Sequence, residues 1–337
     1  MTVKNVKIIF LFLGILLFSG CVRNVDLRKE AKDEKAREQK SITSMRGAVD
    51  LEEEKNESPQ IAETKTDESV KILFVGDMMF DRHIRQAVEK YGKGDYNYIL
   101  EPLKEKLSEY DLVVGNLEGP ITDNKSVSVS TKIGESKNFV LTFDPIVAKV
   151  LAENNIKLVN LGNNHILNQG EKGVEQTEKY LDGAGVEYFG DDFSIREIGG
   201  MKIGFVGYNY SVADSLEKTI GEIGDIRGEA DVIIACPHWG VEYKTGDPGA
   251  SIRALAHRLI DAGADAVIGT HPHVIQDLED YNGKRIYYSL GNFVFDQYFQ
   301  KETMEELGVE LTINPDGGME YSEVKFEMTK KGQTKLK

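Results

Sequence analysis

From Val70 onward the chain repeats one arrangement, a short run of β-type apolar residues followed by small and polar ones. "KILFV" leads into Gly76-Asp77, "LVV" into Gly115-Asn116-Leu117-Glu118, and "KLVNL" into Gly162-Asn163-Asn164-His165. Further on, "DVIIAC" leads into Pro237-His238-Trp239-Gly240, "ADAVIG" into Thr270-His271-Pro272-His273, and "RIYYSL" into Gly291-Asn292-Phe293. Stretches with apolar residues at helical spacing separate several of these runs, at Pro145 to Asn154, Glu171 to Ala184 and Ser251 to Ala262. Strands alternating with helices predict a layered α/β domain. The runs are apolar at successive positions, so both faces of each strand are expected to be covered, by helices.

Two segments break the alternation. Residues 193–210, "FSIREIGGMKIGFVGYNY", read as a hairpin turning at Gly199-Gly200, and residues 277–288 as a second one turning at Asn282-Gly283. With the alternating stretch Gly308 to Phe326 they predict an antiparallel portion beside the parallel one. The expected architecture is a mixed sheet, or two sheets in a sandwich, flanked by helices.

The N-terminal part has a different character. Lys4 and Lys7 precede an apolar run from Ile8 to Phe18, too short for a comfortable membrane span, and then Phe18-Ser19-Gly20-Cys21. This is the pattern of a lipoprotein signal peptide over residues 1–21, with Cys21 as the acylated residue and an uncleaved anchor as the alternative. Either way the folded part is expected on the extracytoplasmic face of a bacterial membrane. Residues 22–69 read as a charged, disordered tether, since Val22 to Glu68 hold no aromatic residue and cannot offset their ordering entropy. As a coil such a tether would span on the order of 40 Å. Cys236 is the only other cysteine, so acylation of Cys21 leaves no intramolecular disulfide. The formal charge is -15, and removing the two leader lysines gives -15 - 2 = -17. Such acidity argues against a nucleic-acid partner, although a bound cation can reverse the sign inside one pocket.

In sheets of this kind ligands gather beyond the carboxyl ends of the strands. That rule brings Asp77, Glu118, Asn164, His165, His238, His271 and His273 to one edge, and four of the chain's six histidines then follow strands. Carboxylate, amide and imidazole ligands together suit a divalent ion such as Mn²⁺, Zn²⁺ or Fe²⁺ better than Ca²⁺. One or two ions are expected. Glu118 is the natural bridge, Asp77, His271 and His273 complete the shells, and Asn164 and His238 serve the second ion. His165 fits a ligand or a catalytic proton donor to a leaving group. Arg82, Asn116 and Asn292 are the expected substrate-binding residues, with His83, Arg85 and Asp296 beside them in the chain. Plainer uses exist for several: Asp77 could cap the next helix, Asn163-Asn164 could serve turn geometry, and His238 could stack on Trp239. Cys236 reads as an inert core residue and His257 as structural or exposed.

The blocks "FVGDMMFDR", "GNLEGPIT", "NLGNNHILNQG", "PHWGVEY", "GTHPHV" and "YSLGNFVFDQ", in this order, resemble the CapA family of poly-γ-glutamate capsule synthesis proteins over Val70 to about Gln297. The resemblance implies a calcineurin-like metallophosphoesterase fold, a four-layer α/β/β/α sandwich with mixed sheets, spanning residues 70–330. It also implies a role in synthesis, export or attachment of poly-γ-glutamate or a similar anionic polymer, alongside a membrane synthase complex. A metal-dependent phosphoesterase unrelated to capsule, and a non-catalytic polymer-binding scaffold, are the alternatives. The sequence departs from the metallophosphoesterase pattern in places. Asp-x-His is expected at the first block, where Asp77 is followed by Met78 and Met79; Glu118 stands for the usual aspartate; and an additional Asn leaves Asn163 or Asn164 as the ligand, Asn164 being favoured beside His165.

Overall fold

The chain weaves between two sheets and returns to the first. The computed structural model describes residues 68–132 and 134–337; the leader, Cys21 and the charged stretch up to residue 67 lie outside the described residues. Four parallel strands start the first sheet: β1 (Val70–Met78), β2 (Leu112–Leu117), β3 (Ile156–Asn160) and β4 (Glu187–Phe189). The second sheet follows, with β5 (Ser194–Ile198), β6 (Met201–Asn209), β7 (Val232–His238), β8 (Ala266–Ile268), β9 (Leu278–Tyr281) and β10 (Lys284–Tyr287) in the order β5-β6-β7-β8-β10-β9. Strands β6, β7, β8 and β10 are parallel, and the edges β5 and β9 are antiparallel. The chain then rejoins the first sheet through β11 (Asn292–Val294), β12 (Glu305–Ile313), β13 (Met319–Met328) and β14 (Thr334–Leu336).

Side-chain alternation along these strands builds three apolar layers. Between the sheets, Ile72 and Phe74 of β1 and Leu112 and Val114 of β2 pack with Ile203 and Phe205 of β6 and Ile234 and Cys236 of β7. The opposite face of the first sheet, with Leu73, Val75, Val113 and Val159, is covered by α1 (Arg82–Tyr91), α2 (Ile146–Glu153) and α3 (Gly170–Ala184) through Ile84, Val88, Val147, Leu151 and Leu181. The outer face of the second sheet, with Ile233, Ala235 and Val267, is covered by α4 (Ser215–Ile226) and α5 (Ala250–Asp261) through Ile223, Ile226, Ile252, Ala256 and Leu259. The layers run α/β/β/α with two mixed sheets. The expectation that helices cover both faces of each strand is corrected here: helices cover one face, and the other meets the opposing sheet. The six apolar runs divide three and three between the two sheets, as in the sandwich that the sequence allowed.

The hairpins form at the expected turns. Asn282 and Gly283 have φ of 50° and 75°, and Gly199 and Gly200 of 57° and 73°, the paired positive values that a two-residue turn between twisted strands requires. Among the described residues no helix is long and apolar enough to cross a membrane.

One close approach sets up the functional edge. Asp77 of β1 pairs with Asn292 of β11, and the backbones come so near that a Cβ on Gly76 would sit 2.0 Å from the Gly291 carbonyl oxygen. Glycine at 76 therefore fixes how Asn292 stands beside Asp77.

Candidate metal centre

The carboxyl ends of β1, β2 and β3 in one sheet and of β7 and β8 in the other converge on a buried cluster of acids, amides and imidazoles. Asp77 and Glu118 are fully buried, and His238 and His273 nearly so. Asp77 Oδ1 accepts from Asn116 Nδ2 at 2.8 Å, and Oδ2 accepts from the His271 amide at 3.1 Å and lies 3.2 Å from His273 Nδ1. Glu118 Oε1 lies 3.7 Å from His273 Nε2, 3.8 Å from His165 Nε2 and 4.0 Å from His238 Nε2. His238 Nε2 in turn lies 2.9 Å from Asn164 Oδ1 and 3.1 Å from His271 Nδ1.

The turn bearing the two histidines is held in an uncommon conformation. His271 has φ of 97° and His273 of 58°, in the left-handed region that residues other than glycine rarely adopt. Such positions cost of order 1–3 kcal/mol each and persist only where surrounding bonds over-determine them. Here the Thr270 amide donates to Pro237 O at 2.9 Å, the Tyr243 amide to Pro272 O at 2.8 Å, and the His271 amide to Asp77. A Cβ on Gly269 would lie 2.3 Å from Tyr288 O and 2.7 Å from Trp239 Nε1, so the residue before Thr270 must be glycine.

Burial dominates the electrostatics. Desolvation, followed by the neighbouring charges of His271 and of His273 respectively, pushes the His238 imidazole well below its ordinary range and His271 down to about 4. Desolvation also lowers His165. These rings are neutral at pH 7 and present lone pairs. Burial alone would raise Asp77, but hydrogen bonding and charge from His273, with His238 and Asn116, outweigh it and hold the carboxyl at about 2. Glu118 goes the other way: desolvation first, then the charges of Asp77 and Glu242, push it well above the usual carboxylate range.

The residues fit a divalent ion on one observation in particular. Neither oxygen of Glu118 has a hydrogen-bond partner, although both are buried. A buried carboxylate without donors is unfavourable unless a cation faces it. Asp77, Glu118 and His273 offer one ligand atom each, all within 4.8 Å of one another, and so do Glu242, His271 and His273. Asn164 adds its oxygen beside His238, while Asn163 turns inward, donating to Asn116 Oδ1 and Leu117 O.

The other expected site residues have more local partners. Asn116 is buried and spent on Asp77, Asn163 and His238 Nδ1. Asn292 places Oδ1 2.9 Å from His273 Nδ1 and donates to His273 O, Gln297 Oε1 and Thr303 O. Both amides already engage groups of the centre, Asn116 beside His238 and Asn292 beside His273. Arg82 pairs with Asp296 and lies over the Phe295 ring, with its Nε buried and unpartnered. Arg85 turns to Asp81, Asp144 and Thr142 O, and His83 Nε2 to Lys330 O. Trp239 does not stack on His238; it packs on Tyr208 and Tyr288 and donates to Tyr288 O. His257 stacks on Tyr281 beside Glu279, and Cys236 is buried. The residue that sequence reasoning passed over is Glu242, in the block "PHWGVEY" but four residues beyond the strand-end histidine. Thr270, 3.1 Å from His238 Nδ1, was passed over as well.

The profile of the bacterial capsule synthesis protein family PGA_cap matches residues 71–297. The PGA biosynthesis protein CapA of Bacillus subtilis (strain 168) is 32% identical over 266 residues, covering 72% of this chain and 67% of that protein. The capsule biosynthesis protein CapA of Bacillus anthracis is 31% identical over 261 residues, 69% of this chain and 61% of that one. The chain thus spans about two thirds of the length of these relatives. Among solved structures, a phosphatase from Mycoplasma pneumoniae aligns with 77% of this chain and 93% of its own at 14% identity and a TM-score of 0.48. A calcineurin-like phosphoesterase from Bacillus subtilis aligns with 80% and 88% at 17% identity and a TM-score of 0.40.

Proposed function

The chain belongs to the PGA_cap family of bacterial capsule synthesis proteins, and from that premise we propose that it is a lipid-anchored, extracytoplasmic component of poly-γ-glutamate capsule biosynthesis whose folded part works through a divalent metal centre. The leader ending at Cys21 and the charged stretch after it support the anchored placement. The partnerless, buried Glu118 among three imidazoles carries the metal reading.

Asp77, Glu118 and His273 would hold one ion, and Asn164, His238 and His271 a second, with Glu118 between them. A bound ion supplies Lewis acidity toward an anionic oxygen and lowers the pKa of a bound water. The chain's own groups do the rest. Asn292 Oδ1 accepts a hydrogen bond from His273 Nδ1–H and leaves Nε2 directed at Glu118. Thr270 Oγ1 and Asn116 Nδ2 stand beside His238 Nδ1 and hold the ring with Nε2 toward Asn164 and His271. His165, half-buried and neutral, has Nε2 toward Glu118 and Nδ1 3.0 Å from Asn168 Oδ1, which orients it to hold or pass a proton at the mouth of the centre. Arg82 contributes its charge from behind, where the field reaches Glu118 and His165. Local cations of this kind let an acidic protein receive a polycarboxylate.

The test replaces the gene with Glu118→Gln and His271→Ala alleles in a polymer-producing host and measures cell-associated poly-γ-glutamate at matched protein level. Loss of polymer in both is expected. Wild-type polymer in both sinks the metal-centred role. Assay of the purified protein on phosphodiester and γ-glutamyl substrates with and without added Mn²⁺ or Zn²⁺ separates a hydrolytic or transfer role from scaffolding.

A further inference from the structure

The metallophosphoesterase pattern places an imidazole two residues after its first aspartate, and that position here is Met79, fully buried with its Sδ 3.0 Å from the Asp81 amide. A thioether suits softer ions than Mn²⁺, Zn²⁺ or Fe²⁺, and this one is already engaged by the Asp81 amide, so Met79 does not stand in for an imidazole. Building on the metal reading above, we propose that Glu242 makes up for the missing ligand, joining His271 and His273 on the solvent side of the centre and adding a carboxylate there.

Three observations carry this. First, His273 belongs to both groups of convergent ligand atoms, the one with Asp77 and Glu118 and the one with Glu242 and His271, so the Glu242 carboxylate stands next to the same imidazole that faces Glu118. Second, the loop bearing Glu242 is docked rather than free. The Trp239 amide donates to Thr270 O at 3.1 Å, the Tyr243 amide to Pro272 O at 2.8 Å, and the Asp277 amide to Gly246 O at 3.0 Å, which fastens residues 239–246 along the histidine turn on both sides of Glu242. Tyr243 adds a second hold, its Oη accepting from Gln297 Nε2 at 3.1 Å and its ring lying 6.1 Å from that of His273. Third, Glu242 is exposed whereas Asp77 and Glu118 are fully buried, so it supplies a carboxylate on the solvent side of the centre. Its charge already reaches Glu118, His165 and His271.

The exchange changes what the position prefers. The carboxylate of Glu242 beside His271 and His273 makes the solvent-side position richer in oxygen and better suited to Mn²⁺ than imidazoles alone, while Asn164 and His238 keep a nitrogen-containing set suited to Zn²⁺ or Fe²⁺. Glu242 thus makes the two positions unlike.

Calorimetric titration of the metal-stripped full-length protein with Mn²⁺ alone, and separately with Zn²⁺ alone, tests this on wild type, Glu242→Gln and Glu242→His. Position 242 is exposed, and equal melting temperatures in EDTA confirm that the variants fold. The Gln variant is expected to lose at least ten-fold in Mn²⁺ affinity. The His variant is expected to regain Zn²⁺ binding at that position but not Mn²⁺. Mn²⁺ affinity unchanged in Glu242→Gln, or a His variant that behaves like the Gln variant toward Zn²⁺, overturns the replacement while leaving the metal reading intact. A wild-type protein that takes up neither ion brings down the metal reading itself.

Discussion

Replacing Glu118 by Gln separates the cost of the centre from its use. Without an ion, the wild-type carboxyl is buried with no partner on either oxygen, and an unsatisfied buried polar group costs about 1–3 kcal/mol. Glutamine fills the same volume without a charge to bury, so in EDTA the variant is expected to match wild type or exceed it by about 1 kcal/mol. With an ion at 100 times its dissociation constant, binding stabilises the native state by about 2.7 kcal/mol. For a domain of this size each kcal/mol moves Tm by about 2–4 °C, so wild type should gain about 5–10 °C. If Gln weakens binding a hundred-fold, the same ion concentration gives only about 0.4 kcal/mol, a shift of one or two degrees. Scanning calorimetry in EDTA and then in Mn²⁺ or Zn²⁺ reads both numbers. An equal metal-induced shift in wild type and Glu118→Gln would refute the assignment of Glu118 as the shared ligand, whatever the activity did.

Other substitutions probe the supports of the centre. Asn292→Ala removes the group beside His273 Nδ1 and is expected to weaken metal binding about 10–100-fold, as loss of such orienting partners does; titration of the metal-stripped variant checks it. Gly76→Ala forces a Cβ against the Gly291 carbonyl and should cost about 1–3 kcal/mol or more in urea unfolding, together with reduced metal affinity because β11 carries Asn292. Ile72→Ala, in the layer between the sheets, should cost about 2–5 kcal/mol and leave metal stoichiometry unchanged. On β12, burial would raise Glu310, but Ser322, Tyr110 and Lys106 outweigh it and lower the carboxyl from 4.5 to about 2. A folded-state value below the unfolded one means stability that is present above pH 4.5 and lost as pH falls toward 2. Glu310→Gln should therefore flatten the decline of the urea midpoint between those pH values, and an unchanged decline would count against the cluster's contribution.

Much of this was legible because strand-end chemistry follows strand periodicity. Asp77, Glu118, His238 and His271 each close or follow an apolar run of the kind a covered strand needs, and parallel strands must deliver their carboxyl ends to one edge. The hairpins at Gly199-Gly200 and Asn282-Gly283 were legible for a local reason, the need for positive φ at both turn positions. What periodicity does not encode is the partition between sheets. A run apolar on both faces looks the same whether a helix or a second sheet covers it, so β7, β8 and β10 read like continuations of β1, β2 and β3. Side-chain saturation is equally silent in the sequence. Asn116 and Asn292 carry the residue type of a substrate ligand, and only the three-dimensional neighbours reveal that they also engage Asp77, Asn163, His273, Gln297 and Thr303. Glu242 escaped because it lies on a loop whose position depends on bonds to Pro272 and Thr270, far along the chain.

The His271-Pro272-His273 turn shows how tightly site and fold are joined. On a regular helix two imidazoles separated by one residue would point apart, and on a regular strand they would share a face but stand about 6–7 Å apart along it, too far to converge on one centre. Left-handed backbone at both histidines bends the chain so that His271 Nδ1 meets His238 while His273 Nε2 faces Glu118. That conformation is unfavourable for both residues, and proline fixes the angle between them. The offsetting bonds come from Asp77 on the first sheet and from Pro237 and Tyr243 around the end of β7 on the second. The turn is therefore held by both sheets at once and owes its shape to their packing. Its strain is offset by bonds whose positions the three apolar layers fix, so the site and the core stand or fall together.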